Sequence, residues 1–133
     1  MKKDEKKIQE FLKGFKSEVN IDLERRLNPS IRNISKLADS LSGSISLEDK
    51  DLSRELEGIA QRFQNADEDI LTRTFVFGET FNIMLDKIRL TNNPESKKRA
   101  QELTYNYIDL AKSTGDPKII NVALRLSDKS LDM

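Results

Sequence analysis

The sequence predicts an all-α protein: a compact multi-helix bundle of about six helices with short connections and a C-terminal helical hairpin. Three observations carry this. Apolar residues recur at steps of three and four along most of the chain. Proline, glycine and Asn/Asp residues fall between these stripes, where helix starts and stops belong. Alternating apolar and polar runs of useful strand length are missing. At 133 residues the chain is expected to form a single domain, 1–133.

The first stripe is Ile8, Phe11, Leu12, Phe15, Val19, Leu23 and Leu27. Asn28 and Pro29 are expected to end it, because proline disfavours helical geometry in the residue before it. Pro29 then suits the first position of a second helix. Ile31, Ile34, Leu37, Ala38 and Leu41 give that helix its face, and Ser42 and Gly43 are expected to stop it. Ser46 followed by Asp49 resembles a capping box for a third helix carrying Leu52, Leu56, Ile59, Ala60 and Phe63.

The fourth helix is expected from about Asp69 to Leu90. Ile70, Thr74, Phe77, Phe81, Met84, Leu85 and Ile88 share one face at 100° per residue. Gly78 interrupts the helix at about 1 kcal/mol relative to alanine. It is read either as a site of close helix approach or as a tolerated glycine. Val76, Ile83 and Leu90 are spaced by seven and lie opposite Phe81. They are expected to be buried, with the last two helices as cover. A self-association seam is the alternative, because heptad spacing suits contact between chains.

Asn92, Asn93 and Pro94 separate a fifth helix with Ala100, Leu103, Tyr107, Leu110 and Ala111 on its face. Thr114-Gly115-Asp116-Pro117 is the sharpest turn signal. Glycine suits the left-handed cap of one helix, aspartate the N-cap of the next, and proline its first position. Ile119, Ile120, Ala123, Leu124, Leu126 and Leu131 mark the sixth helix. The segment AKSTGDPKIINVALRL, Ala111 to Leu126, resembles the turn of the helical hairpin in small terminase subunits of large tailed phages. Those proteins form rings and assist DNA packaging. The resemblance covers one hairpin; it implies homo-oligomeric assembly and assigns no site residue.

Composition excludes several kinds of chemistry. Without histidine or cysteine there is no imidazole acid–base pair, no His or Cys metal site and no thiol nucleophile. No phosphate-binding glycine loop and no EF-hand spacing occur. No cofactor and no metal are therefore expected. The carboxylates Glu48, Asp49, Asp51, Glu55 and Glu57, and Asp67, Glu68 and Asp69, fall at helix starts, where the helix dipole favours negative charge. The charged N-terminus lacks the apolar core of a signal peptide. No run approaches the roughly 18–20 apolar residues that span a bilayer. The expectation is a cytoplasmic protein without membrane contact, and the missing cysteine fits that.

The 23 basic and 23 acidic residues cancel, yet they are segregated along the chain. Residues 1–16 hold six Lys against three acids, and residues 87–112 hold six Lys and Arg against three acids. Lys2, Lys3, Lys6, Lys7, Lys97, Lys98 and Arg99 are the candidate nucleic-acid contacts, through phosphates. Tyr105 could stack on bases if exposed, whereas Tyr107 fits the apolar face. The leading expectation is a non-enzymatic interaction module (an adaptor, inhibitor or assembly protein) that binds a protein partner or a second copy. Its candidate interface is Val76, Ile83 and Leu90. The alternative is an accessory nucleic-acid-binding protein, such as a phage DNA-packaging factor.

Overall fold

The computed structural model describes the backbone of residues 2–133 and the side chains of residues 21–133. Its five helices are α1 (Lys2–Ile45), α2 (Lys50–Phe63), α3 (Ile70–Arg89), α4 (Pro94–Thr114) and α5 (Pro117–Leu131). Among the described residues there is no strand.

The difference from six helices lies at Pro29, which sits inside α1. Proline in a helix interior costs about 3 kcal/mol, because it lacks an N–H and its ring crowds the preceding turn. Burial outweighs that cost. Leu27, Ile31, Ile34, Ala38, Leu41 and Ile45 form one buried stripe that runs past the proline. Each large member contributes about 1.5–3 kcal/mol when fully covered. Asn28, Pro29 and Ser30 lie on the exposed side. The expected stop at Gly43 is also displaced, because buried Ile45 keeps the last turn helical.

The remaining boundaries have identifiable caps. Asp49, rather than Ser46, caps α2 by accepting from the Leu52 N–H at 3.0 Å. Asp69 accepts from the Thr72 N–H at 3.1 Å, and Asn93 accepts from Glu95 and Ser96. Gly115 ends α4 at φ 67°, in the left-handed region, and Asp116 caps α5 through the Lys118 N–H at 2.8 Å. The Thr114–Pro117 signal thus forms the turn its sequence predicts.

Side-chain contacts fix the directions. Ser42 and Ser53 each donate a hydroxyl to the other's backbone carbonyl, at 2.8 and 3.0 Å, and Ser35 donates to the Ala60 carbonyl at 3.5 Å, so α1 and α2 run antiparallel. Asn33–Asn106 and Ser44–Ser96 set α4 antiparallel to α1. Glu79–Arg125, Asp86–Lys129 and Arg89–Asp132 run in step along α3 and α5, which are parallel. α3 touches all four other helices and is the centre of the bundle.

The Phe77 side of α3 is the core. Phe63, Phe77, Phe81 and Tyr107 are fully or almost fully buried, and the Phe63 and Phe77 rings lie 4.5 Å apart. Gly78 explains how α4 and α5 come so close. A Cβ there would lie 2.2 Å from the Tyr107 hydroxyl and 2.6 Å from Val122 Cγ1. The same hydroxyl donates to the Thr74 carbonyl at 2.7 Å. Without a side chain at 78, the tyrosine reaches the α3 backbone and satisfies its own polar tip.

Candidate interaction surface

The side of α3 opposite Phe81 faces outward. Ile83 is 65% exposed and Leu90 86% exposed, while Val76 is half-buried. The expected intrachain cover is therefore corrected. α4 and α5 fold back, but onto the Gly78 side, where the missing side chain admits Tyr107 and Val122. That leaves the Ile83 side open.

Charged pairs frame the line on both flanks. Toward α5, Glu79 meets Arg125 at 2.5 Å and Asp86 meets Lys129 at 2.9 Å. Toward α2, Lys87 lies 3.8 Å from Glu55. On that same side Val76 and Thr80 line a cleft with Ile59 and Phe63. The result is an apolar strip on one helix, with the acids Glu79 and Asp86 along one rim and Lys87 on the other. These pairs are substantially exposed, so each contributes little to stability.

A second group of exposed apolar side chains lies on the C-terminal hairpin. Tyr105, Leu124 and Leu131 are all more than half exposed. Leu124 and Leu131 were expected on the core face of the last helix. Only Ile119, Val122, Ala123 and Leu126 of that helix's apolar residues are buried there. Tyr107 is in the core and Tyr105 is outside. Burial raises the Tyr107 hydroxyl pKa well above the usual tyrosine value, and nearby Glu79 pushes it the same way.

The candidate nucleic-acid contacts are divided. Lys98 is exposed and Lys97 half-buried near Pro94 and Met133. Arg99 is engaged within the chain. It donates to Ser40 Oγ on α1 and to Glu95 Oε1 at 2.6 Å. Its guanidinium holds the Glu95 carboxyl below the usual carboxylate range, by hydrogen bond and by charge. Lys2, Lys3, Lys6 and Lys7 lie outside the residues whose side chains are described.

Several of the acidic groups have structural roles. Asp49 and Asp69 are caps, and Glu68 meets Arg62 at 3.2 Å. Among the described residues no cluster of His, Cys, Asp or Glu could hold a metal ion. No described helix is long and apolar enough to cross a membrane.

Sequence reasoning missed Arg73. It lies on the core side of α3, 4% exposed, donating to the Phe63 carbonyl at 2.9 Å and to Glu24 on α1. The signal was its position, three residues after Ile70 and four before Phe77, within the apolar stripe. An arginine there must find partners, and the open carbonyl end of α2 supplies one.

Comparison of the chain with protein-family models, with curated proteins and with solved structures finds no match.

Proposed function

We propose that this chain is a non-catalytic helical interaction module of the cytoplasm, which binds protein through the outer strip of α3. One observation carries the reading. Three apolar residues spaced by seven lie along the outside of the central helix, and two of them are largely bare. Single exposed leucines are ordinary on any protein. A line of them with charges on both rims matches the anatomy of an interface, apolar at its centre and polar at its edge. The chain's lack of histidine and cysteine supports a binding role over catalysis.

The test is a pull-down from the native host combined with light scattering, for the wild type and for Ile83→Asp. The reading expects a bound protein, or a self-associated mass, that the variant loses while keeping its helical circular dichroism spectrum. A variant that binds as the wild type does overturns it. Retention on heparin at low salt, abolished by Lys97→Glu and Lys98→Glu and unaffected by Ile83→Asp, would instead select the nucleic-acid alternative.

A further inference from the structure

Resting on that reading, we infer that the partner of the α3 strip is a second copy of this chain, docked with its α3 running parallel. The placement of charge selects this arrangement. A helix strip that pairs with itself about a two-fold axis has two arrangements. With the axis along the helix, α3 runs parallel to its copy, and the α2 flank of each chain meets the α5 flank of the other. With the axis across the helix, α3 runs antiparallel, and like flanks meet.

The ion pairs say which residues lie on which flank. Glu79 and Asp86 are on the α5 side, held there by Arg125 and Lys129. Lys87 and Thr80 are on the α2 side, Lys87 beside Glu55 and Thr80 beside Ile59 and Phe63. In the antiparallel arrangement about Ile83, Glu79 faces Asp86 of the second copy, one acid against another, and Lys87 faces Thr80. In the parallel arrangement Lys87 faces Asp86 of the second copy and Glu79 faces Thr80. The parallel seam then builds an alternating row: Glu55, Lys87, then Asp86 and Lys129 of the second copy. Opposite charges across the rim fix register, and like charges placed opposite each other oppose it.

The apolar line is compatible with a self-paired seam. Parallel pairing sets Val76, Ile83 and Leu90 each against its own copy, and antiparallel pairing sets Val76 against Leu90, so the apolar line suits both and the rim charges select between them. A stable interface buries roughly 1,200 Å² or more in all. The α2 and α5 flanks complete it, which is why their charges decide the direction.

The chain has no cysteine, so single cysteines report the arrangement directly. Val76→Cys, Ile83→Cys and Leu90→Cys are prepared in the full chain, checked by circular dichroism and oxidised. The parallel seam expects a covalent dimer from Ile83→Cys and Leu90→Cys alone, with half-buried Val76→Cys slower. It also expects Ile83→Asp to halve the mass seen by light scattering. An antiparallel seam would place the two Leu90 positions about 21 Å apart, at 1.5 Å per residue. Only Ile83→Cys, and a mixture of Val76→Cys with Leu90→Cys, would then crosslink, and that result overturns the parallel arrangement. A monomeric wild type with no crosslinks overturns the second copy as partner. If such a monomer still captures another protein through Ile83, the interaction reading stands without it; if it captures none, both fall.

Discussion

On one side of α3, Phe77 and Phe81 are 2% and 0% exposed; on the other, Ile83 and Leu90 stand largely in water. Both sides carry large apolar residues at helical spacing, so local chemistry does not separate them. Their neighbours do. The Phe side includes Gly78, and its missing side chain lets Tyr107 and Val122 approach the backbone. The Ile83 side carries Glu79, Asp86 and Lys87 along its rims, where they meet α5 and α2, and the ridge between those flanks is bare. An apolar stripe therefore becomes core where a second helix comes close, and stays surface where the neighbouring helices pack to either side of it.

The largest test of this contrast is Phe81→Ala. Deleting a fully buried aromatic should cost about 3–5 kcal/mol in denaturant unfolding. A loss near the surface scale of about 0.5 kcal/mol would erase the distinction between the two sides. Glu24→Gln comes next. It removes the counter-ion of buried Arg73, and breaking a fully buried pair costs about 3–5 kcal/mol. Glu24 is a third exposed, so solvent reduces the expected loss to roughly 2 kcal/mol. An unchanged unfolding midpoint would show that the Phe63 carbonyl alone suffices for Arg73.

Gly78→Ala opposes two effects of known sign. Helix propensity favours alanine by about 1 kcal/mol, while overpacking against a buried ring costs about 1–3 kcal/mol. The Tyr107 hydroxyl is held by its bond to Thr74 and cannot swing away freely. The expected result is net destabilisation, and a stabilised variant would mean that α4 has room to retreat.

Tyr107→Phe should cost about 1 kcal/mol at neutral pH, the usual worth of one hydrogen bond. Its pH dependence is more informative. The folded-state pKa is raised above the ordinary 10.0, so the folded protein disfavours the phenolate. Tyr107 therefore contributes stability that is fully present below pH 10.0 and is lost as pH rises toward the folded-state value. The wild type should lose stability above that pH, and Tyr107→Phe should flatten the decline. Parallel profiles for the two proteins would contradict this role. Ile83→Ser sets the small end of the scale, with a change within about 0.5 kcal/mol in dilute solution. A loss of several kcal/mol would place Ile83 in the core.

Much of the fold was legible because it rests on near-neighbour physics. The buried set of α3 follows from residues three and four apart, and the α4–α5 turn from the conformations open to Gly115, Asp116 and Pro117. At Pro29 the local signal and the structure differ for a physical reason. Its cost is local, whereas the burial that overrides it extends from Leu27 to Ile45 and is supplied by α2 and α4. The candidate strip was visible as a heptad line, but its exposure was not. Periodicity alone likewise places Leu124 and Leu131 in the core, and they lie outside because, among the described residues, no further helix packs over the hairpin's outer face.

The sequence by itself determined that the chain is helical, where α3, α4 and α5 begin, and which side of α3 is most apolar. Backbone caps and side-chain periodicity act within a few residues, so they are written in the order of the residues. The tertiary structure alone decided that α1 runs through Pro29, that Arg73 is buried, and that the side of α3 bearing Ile83 is left uncovered. Those outcomes depend on how many helices surround each face and how closely they approach. A face is buried only when another part of the chain arrives to cover it.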